Sequence, residues 1–365
     1  MRIGVPKESV AGERRVALSP DVAARLVKAG HELLVERGAG QAAYMPDATY
    51  EAAGATLTDT TGAFGAEIVT KVQTPTLGEA SLLGDGGLLI SLLQPGEQAA
   101  LLEALSSRGI RALSLERVPR ITRAQSMDIL SSQATIAGYK AVLLAAAQSP
   151  RLFPMLTTAA GNIPPAKAFV LGAGVAGLQA IATARRLGAI VSGFDIRAAA
   201  AEQVLSLGAT FVGPKPSSDA EVKGGYAREQ TEDERRATTE AMAAHLKDQD
   251  VVITTAQIPG RAAPRLVTRA MVESMRPGAV IVDLAADSGG NCELTKPGDT
   301  IDHRGVAIIG ASNLPSSMPY HASLMFSKNV FTLLSHLISK EGVLAVDPKD
   351  EITGAMLVTT APVAA

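Results

Sequence analysis

Short apolar runs alternate with segments of helical period from the first residues of the chain. Between these runs, helices are predicted from Pro20 onward and over Gln98–Ser107. The runs themselves are predicted strands, and they are Arg2–Val5, Glu32–Val35, Glu67–Val72, Leu88–Leu92 and Arg111–Leu115. Strands that alternate with helices in this way are typical of an α/β fold.

The first predicted helix carries the signals expected at its two ends. Ser19 is placed to cap the helix, Pro20 takes the first helical position, and Gly30 follows the last turn. Val22 and Leu26 lie about one turn apart and predict the buried face. The segment therefore agrees with the α/β interpretation at the level of single residues.

A second series of strands follows an Ala-rich helix predicted over Ile129–Ala147. Gly161–Pro165 is interpreted as a linker into this second unit. A later helix, near Leu324–Ile338, is expected to return to the first unit and to precede a polar, strand-like tail. The strands of the second series are Ala168–Leu171, Ile190–Phe194, Val251–Thr255, Ala279–Leu284 and Val306–Ile309. Their nearly continuous apolar character is typical of a parallel sheet that helices cover on both faces.

The strongest chemical signal is a glycine-rich turn between a strand and a helix. Gly172, Gly174 and Gly177 form the pattern G-x-G-x-x-G, and the next strand ends at Asp195. A bare glycine pattern is weak evidence, but this context and an acidic residue about 20 positions later are the fingerprint of a dinucleotide site. The first glycine permits the tight turn, the second lets the backbone approach a pyrophosphate, and the third lets helix and strand pack closely. A purely structural turn is the alternative.

Asp195 also predicts which dinucleotide binds. A carboxylate at this position accepts hydrogen bonds from the adenosine ribose hydroxyls and repels a 2′-phosphate, which favours NAD(H) over NADP(H). Arg197 leaves a second possibility open, because an arginine nearby can accommodate that phosphate. A second glycine pattern, Gly38–Ala43, has no following helix before Met45 and is interpreted as a loop.

We therefore expect two Rossmann-like domains, each a doubly wound parallel sheet, with a cleft between them. The chain of 365 residues exceeds the roughly 250 to 300 residues at which a single hydrophobic core stops growing. Residues 1–130 together with 313–365 are assigned to the N-terminal domain, and residues 131–312 to the NAD(H)-binding Rossmann domain.

Composition excludes several other classes of protein. The net charge of −2 gives no basic excess for nucleic acid, and there is no Trp for base stacking. The single cysteine, Cys292, excludes an intrachain disulfide and fits a reducing compartment. The N-terminus lacks the features of a signal peptide, and the apolar runs fall short of the roughly 18 to 20 residues that span a bilayer. We expect a cytoplasmic location without direct membrane insertion, and no metal site.

Several longer motifs resemble one superfamily over nearly the whole chain. They are Met1–Glu8, Glu13–Pro20, Arg123–Gln133, Gly138–Val142 and Asp283–Glu293. Together they resemble the alanine dehydrogenase and nicotinamide nucleotide transhydrogenase superfamily, and the run Arg123–Gln133 is similar to its transhydrogenase branch. Because apolar spans are absent at the end of the chain, the resemblance is to the separate NAD(H)-binding alpha subunit, domain I, of bacteria in which another polypeptide forms the membrane domain.

The resemblance also separates the two branches of this superfamily. Alanine dehydrogenase oxidises an amine and needs a proton-transferring group. The resemblance places its substrate anchors at Arg15 and Lys71 and its catalytic histidine after Leu88–Leu92, where this chain has Gln94 and no histidine. Hydride transfer between two nicotinamides needs only their alignment. Asp287, at the position of the dehydrogenase's active-site aspartate, keeps the dehydrogenase as an alternative.

The resemblance further implies roles for the loop before the Ala-rich helix. Arg120, Gln125 and Asp128 are the predicted catalytic residues: Arg120 and Asp128 lie beside the dihydronicotinamide, Gln125 reaches toward the partner's nucleotide, and Ser131 holds the carboxamide. A carboxylate and a guanidinium can fix an orientation by charge-assisted hydrogen bonds. The alternative is that Asp128 only caps the helix and Arg120 forms a surface ion pair.

The remaining predicted site residues come from a long polar segment and from a strand end. By resemblance, Gly225 and Tyr226 belong to a mobile loop that closes on the nucleotide, and a solvated insertion is the alternative. Thr255 and Gln257 end a sheet strand, where dinucleotide sites lie. The predicted cofactor-binding residues are Ser131, Gly172, Ala173, Gly174, Val175, Ala176, Gly177, Asp195, Ile196, Arg197, Gly225, Tyr226, Thr255 and Gln257.

These observations predict an NAD(P)+ transhydrogenase component. One fingerprint holds one nucleotide, so NADP(H) is expected on a partner subunit. The expected partners are transmembrane subunits that include an NADP(H)-binding domain and couple transfer to proton translocation, which would make the chain peripheral to the inner membrane. The family further suggests a homodimer. The alternatives are an alanine dehydrogenase-like oxidoreductase and a non-catalytic NAD-binding regulator.

Overall fold

A computed structural model of the chain describes residues 1–213, 231–257, 261–339 and 341–359, together with the backbone of residues 221–222 and 226–227. The chain forms two compact units. Unit 1 comprises Met1–Gln133 and Pro315–Ala365, and unit 2 comprises Ala134–Leu314. Each unit is described separately below.

Unit 1 is built on a six-stranded parallel sheet. The strands are β1 (Arg2–Val5), β2 (Glu32–Glu36), β3 (Thr56–Thr58), β4 (Ile68–Thr70), β5 (Leu88–Ser91) and β6 (Arg111–Ser114). Their order is β3-β2-β1-β4-β5-β6, so the chain starts at the centre and winds outward in both directions. The connecting helices are α1 (Pro20–Lys28), α2 (Asp47–Ala52), α3 (Thr60–Phe64), α4 (Leu77–Ser81) and α5 (Ala99–Ser107).

Helix α1 begins at Pro20 as predicted, but its cap differs from the prediction. Ser19 occupies the N-cap position without accepting a hydrogen bond from the helix. Its hydroxyl donates instead to Oδ1 of Asp21 at 2.5 Å and to Oγ of Ser327 at 3.0 Å. The predicted side-chain cap is therefore wrong, because two nearby acceptors engage the hydroxyl.

Helix α6 (Ile129–Gln148) begins in unit 1 and continues into unit 2. Ile129 belongs to the core of unit 1, whereas Ala141 and Val142 belong to a core of unit 2. By length and composition its 20 residues could cross a membrane, so the prediction that the apolar segments are too short is wrong for this helix. A single helix of this kind is weak evidence for a membrane span, because core helices pass the same test.

Unit 2 contains a seven-stranded sheet. Its strands are β9 (Lys167–Leu171), β10 (Ile190–Phe194), β11 (Thr210–Phe211), β14 (Val251–Thr254), β15 (Val280–Asp283), β16 (Thr300–His303) and β17 (Val306–Gly310). They lie in the order β11-β10-β9-β14-β15-β17-β16. Every pairing is parallel except that of the edge strand β16 with β17. The helices are α7 (Val175–Arg186), α8 (Ala198–Ser206), α9 (Glu232–Leu246) and α10 (Arg269–Glu273).

Two small antiparallel pairs stand apart from this sheet. One is the pair β7 (Leu156–Thr158) with β8 (Gly161–Ile163), and the other is the pair β12 (Glu221–Val222) with β13 (Tyr226–Ala227). The predicted linker at Gly161–Pro165 is therefore wrong, because these residues begin with a hairpin strand inside unit 2. Gly161 adopts φ +119° at the tight turn, so the glycine closes a hairpin here and does not mark a domain boundary.

The chain then re-enters unit 1 through α11 (Pro319–Leu337) and α12 (Glu351–Met356). Helix α11 agrees with the predicted return helix, but the predicted strand-like tail is instead the short helix α12. Asp350 caps this helix by accepting hydrogen bonds from the backbone of Ile352 at 2.9 Å and of Thr353 at 3.1 Å. The acidic residues that made the tail look polar are thus an N-terminal helix signal.

Both units have the strand order of a doubly wound fold, in which two halves extend from a central strand. The predicted fold class, two Rossmann-like parallel-sheet domains, is confirmed. In each unit, the central strand has a neighbour from each half of the sheet. Ligands of such folds bind beyond the carboxyl ends of the strands where this reversal occurs.

Candidate functional site

The glycine turn lies at this reversal in unit 2. It directly follows the central strand β9, which pairs with β10 on one side and β14 on the other. Gly172 adopts φ +99°, a conformation that favours glycine, and its N–H donates to the carbonyl of Phe194 at 2.8 Å. A Cβ on Gly177 would lie 1.8 Å from the carbonyl oxygen of Gly172, so only glycine lets α7 pack against the turn.

Gly174 differs from the other two glycines because the space beside it is open. A Cβ on Gly174 would meet no neighbouring atom within 4 Å among the described residues. Gly174 is also the N-cap of α7, and it makes no side-chain cap hydrogen bond to the helix. The first turn, which starts with Val175 and Ala176, therefore offers backbone N–H groups to an anion. Open space and uncapped donors fit the pyrophosphate of a dinucleotide.

Asp195 follows the adjacent strand β10 and reaches back to the glycine turn. Its Oδ2 accepts a hydrogen bond from the backbone N–H of Ala173 at 2.7 Å. The neighbouring Arg197 forms an ion pair with the same carboxylate at 2.9 Å. The structure thus brings together the turn and the acidic residue, as the fingerprint requires, and adds an arginine contact that spacing alone did not establish. Ile196, between them, packs against a core of unit 2.

The predicted strand-end residues support the turn from the opposite side. The hydroxyl of Thr255, just after β14, donates to the carbonyl of Gly172 at 3.0 Å. The side-chain amide of Gln257 donates to the carbonyl of Leu284, which follows β15, at 2.9 Å. Both residues therefore lie at the carboxyl edge of the sheet. Gly225 lies outside the described residues, and the structure describes only the backbone of Tyr226.

Asn291 holds this edge in place, and sequence reasoning did not single it out. Its buried side chain donates to the carbonyls of Ala256 and Pro264, each at 2.8 Å, and accepts from the N–H of Ala256 at 3.0 Å. It therefore fixes both sides of the segment that follows Thr255. Its place in the motif Asp283–Glu293 was the available signal, but the motif did not reveal these partners.

The predicted catalytic loop lies in unit 1, immediately before α6. Asp128 accepts from the backbone N–H of Ser131 at 2.9 Å and from its hydroxyl at 2.6 Å, so it does cap the helix. Arg120 and Gln125 are exposed. The loop is held at one further point, where the side-chain amide of Asn329 donates to the carbonyl of Ser126 at 2.7 Å. Asp128 and Ser131 thus contact each other, and the Gln125 side chain is accessible to another molecule.

A buried cluster of charged side chains lies elsewhere in unit 1, at the carboxyl ends of β1 and β4. Arg15 forms an ion pair with Glu13 at 2.7 Å, and both are largely shielded from solvent. Arg15 also donates to Oε1 of Gln133 at 2.9 Å. Burial raises the pKa of Glu13, but the hydrogen bonds and charge of Arg15 outweigh it and lower the pKa to about 2.

Lys71 forms the second half of this cluster. Its side chain is fully buried, and Nζ lies 3.5 Å from Glu8 and 3.2 Å from Glu79. Burial raises the pKa of Glu8, even though Lys71 and two backbone N–H groups act in the opposite direction. Glu8, Glu13 and Arg15 also line a cavity of about 220 Å³ in unit 1. The two buried cations in this cluster therefore already have carboxylate partners.

Known families match both parts of the chain. Residues 4–137 match the family described as alanine dehydrogenase/PNT, N-terminal domain, and residues 141–363 match alanine dehydrogenase/PNT, C-terminal domain. The chain belongs to the alanine dehydrogenase/PNT family. The resemblance found in the motifs is thus confirmed.

Relatives from both branches of the alanine dehydrogenase/PNT family are similar to the chain. The first of the separate polypeptides of the NAD(P) transhydrogenase alpha subunit of Rhodospirillum rubrum is 46% identical, over 98% of this chain and 96% of that protein. The crystal structure of a transhydrogenase from Sinorhizobium meliloti has a TM-score of 0.90 and 43% identity, and the match covers 98% of each chain. Alanine dehydrogenase of Mycobacterium tuberculosis is 32% identical, over 87% of this chain and 82% of that protein.

Within this family, the segment after β5 bears on the choice of branch. The backbone N–H of Leu93 donates to the carboxylate of Glu116 at 3.0 Å, and the N–H of Gln94 donates to the same group. Gln94 adopts φ +45°. No histidine stands in this segment, because the five histidines are His31, His245, His303, His321 and His336. The structure thus holds this segment in a defined shape without the proton-transferring residue that amino-acid oxidation needs.

Proposed function

We propose that this chain is the NAD(H)-binding subunit of a proton-translocating NAD(P)+ transhydrogenase, and that it passes a hydride from NADH to NADP+ held on a partner subunit. The open cradle at Gly174, with Asp195 hydrogen-bonded to the glycine turn, carries the proposal. The 46% identity to a transhydrogenase alpha subunit supports it. One cradle of this kind serves one nucleotide, so the acceptor nucleotide requires a second protein.

The chemistry asks the protein for position and asks it for no proton. A hydride carries two electrons from the nicotinamide C4 of NADH, which becomes NAD+, to the C4 of NADP+, which becomes NADPH. No heteroatom gains or loses a proton in this step, so no general acid or base is required. Positioning alone can supply a large part of the rate, because misalignment by about 1 Å can lower it about a hundredfold.

The loop before α6 is the proposed source of this positioning. Asp128 and Arg120 would orient the dihydronicotinamide, and Ser131 would hold its carboxamide. The exposed Gln125 would reach toward the nucleotide on the partner, because an amide can both donate and accept hydrogen bonds. Asp128 caps α6 in the structure, so capping and positioning would share one carboxylate. Gly225 and Tyr226 would belong to the segment that closes on bound nucleotide.

The proposed partners are transmembrane subunits, one of which carries the NADP(H)-binding domain. The chain would be cytoplasmic, would form a homodimer, and would associate with the membrane peripherally through those subunits. They would couple hydride transfer to proton translocation. This arrangement rests on the transhydrogenase relatives, which are named as alpha subunits.

Alanine dehydrogenase activity is the second candidate, favoured by one observation. Asp287, at the position that suggested a dehydrogenase aspartate, accepts a hydrogen bond from the hydroxyl of Ser312 at 2.5 Å and is exposed. Against it, Arg15 and Lys71 are buried with carboxylate partners. Neither cation is thus ready to bind a substrate carboxylate unless its ion pair opens.

Reconstitution separates these functions. The purified chain is expected to bind NADH, to be inactive with alanine or with pyruvate and ammonia, and to gain activity only when an NADP(H)-binding transhydrogenase domain is added. Reduction of acetylpyridine NAD by NADH gives the readout, because NADP(H) on the partner shuttles the hydride. Alanine oxidation by the chain alone would refute the proposal, and NADH binding without turnover in either assay would identify a regulator.

A further inference from the structure

The carboxylate of Asp195 is fully engaged by donors from the chain itself. Oδ1 accepts from the backbone N–H of Arg197 at 2.9 Å and from its Nε at 3.0 Å. Oδ2 accepts from the backbone N–H of Ala173 at 2.7 Å and from Nη2 of Arg197 at 2.9 Å. A carboxylate offers about four acceptor positions, so these four donors use its capacity.

A ribose diol therefore cannot bind Asp195 in this arrangement without displacing a donor. Two of the four donors are backbone N–H groups, one in the glycine turn and one directly before α8, and neither can leave while those elements stay folded. The other two belong to the guanidinium of Arg197. This side chain is the movable donor, because it is 23% exposed whereas that of Asp195 is 8% exposed.

The ion pair also changes the charge that a nucleotide meets. Without Arg197, the site would present an uncompensated carboxylate, which repels a 2′-phosphate. With Arg197 in place, the positive guanidinium balances that charge at the edge of the site that faces solvent. An arginine can bind a phosphate through two parallel hydrogen bonds, so the same side chain can attract the group that Asp195 repels.

We propose that Arg197 is a specificity-determining residue that holds the ribose-binding carboxylate of Asp195 and must swing away for NAD(H) to bind. It lowers the affinity for NAD(H) by competing for Asp195, and it narrows the discrimination against NADP(H) by supplying a cation for the 2′-phosphate. The inference rests on the proposed function, because it concerns the same nucleotide site.

Arg197→Ala tests this role directly. We expect NADH to bind about tenfold more tightly to the variant, because the diol no longer displaces two charge-assisted hydrogen bonds. The ratio of the NADPH to the NADH dissociation constant should rise by about tenfold or more. Arg186→Ala is the matched control: it removes the same charge from an exposed position in the last turn of α7 and should change neither constant.

Calorimetric titration of the full chain with NADH and with NADPH gives both constants, and circular dichroism checks that each variant is folded. Arg197→Lys, which keeps the charge without the planar fork, should bind NADH with an affinity between those of the wild type and Arg197→Ala. Weaker or unchanged NADH binding by Arg197→Ala, or an unchanged ratio, would overturn the inference. A wild-type chain that bound no NADH would instead refute the proposed function, so the two failures are distinguishable.

Discussion

The guanidinium of Arg123 lies 2.6 Å from Oδ2 of Asp350, and this ion pair joins the loop that carries Gln125 to the start of helix α12. Asp350 also caps that helix and accepts from His336. Burial raises the pKa of Asp350, but the backbone N–H of Thr353 and the guanidinium of Arg123 contribute to a larger shift in the opposite direction, so the pKa is lowered. One carboxylate thus serves both a helix end and the proposed catalytic loop.

Asp350→Asn should separate these two tasks. Asparagine still caps a helix but does not form an ion pair with Arg123, so we expect a severalfold slower hydride transfer and little change in melting temperature. Asp350→Ala should show the same kinetic change and should also lose about 1 kcal/mol of stability with the cap. Single-turnover kinetics and calorimetric melting measure the two effects. A normal transfer rate in Asp350→Asn would mean that the ion pair does not hold the loop.

Gln125→Ala is predicted to slow hydride transfer about a hundredfold while changing the NADH dissociation constant by less than about threefold. The exposed side chain has room to reach a second nucleotide, and its loss affects alignment more than binding. Stopped-flow transfer with an NADP-binding domain gives the rate, and titration gives the constant. The exposed Thr122→Ala, in the same loop, is the control. If rate and affinity fell together, Gln125 would be an ordinary nucleotide anchor.

Asp128→Asn extends this test to the carboxylate beside Ser131. Asparagine keeps an acceptor for the backbone N–H of Ser131, so helix α6 should stay capped and the melting temperature should change little. We expect transfer to slow by about tenfold or more, because a charge-assisted contact to the nicotinamide side is lost. Unchanged single-turnover transfer would restrict Asp128 to its capping role.

The glycines of the turn predict a contrast between binding and folding. Gly174→Ala should fold normally, because open space surrounds its Cβ, but should weaken NADH binding about tenfold or more by blocking the approach of the pyrophosphate. Gly177→Ala should lower thermal stability, because its Cβ would collide with the carbonyl of Gly172. Melting curves with and without NADH distinguish them. Full NADH affinity in Gly174→Ala would exclude this turn as the pyrophosphate site.

The ion pair of Glu13 and Arg15 predicts a dependence of stability on acid. The folded pKa of Glu13 is about 2 against an ordinary 4.5, so its stabilisation is fully present above about pH 4.5 and is lost as the pH falls through 2. A shift of this size corresponds to roughly 3 kcal/mol. The raised pKa of Glu8 has the opposite sign, because a protonated Glu8 favours the folded state at low pH and so offsets part of the loss.

Urea midpoints measured from pH 7 down to pH 2 test this sign. The control is Glu13→Gln with Arg15→Met, which removes both charges and avoids leaving one buried ion alone. Its midpoint should fall less steeply below pH 4.5 than that of the wild-type chain. Parallel curves for the two proteins would contradict the assigned pKa.

The sequence predicts the elements that depend on local pattern and misses those that depend on distant partners. The strands and the glycine turn could be predicted because their signals lie within a few residues of one another. Helix α12 has six residues, too few for a helical period to show. Asn291 bonds to Ala256, 35 positions away, so its role cannot be inferred from its neighbours.

The candidate site shows the same division. The spacing of Asp195 from the glycines predicted their meeting, and the structure places Oδ2 at 2.7 Å from the backbone of Ala173. The spacing also suggested that Arg197 could affect nucleotide choice, but it could not show that the guanidinium binds the carboxylate of Asp195. The pairing of Lys71 with Glu8 was equally beyond reach, because 63 positions separate them and only folding of the sheet brings them together.

The burial of Glu8 has a consequence for how many nucleotides one chain can hold. In unit 2, the reversal of strand order leaves open space beside Gly174 for an anion. At the corresponding reversal of unit 1, Glu8 follows β1 and accepts hydrogen bonds from the backbone of Val72 at 2.7 Å and of Gln73 at 3.2 Å, both after β4. Unit 1 thus supplies from its own sequence the negative group that unit 2 must take from solution. The same winding occurs twice in the chain, and only its second copy is left to recruit an anion from outside.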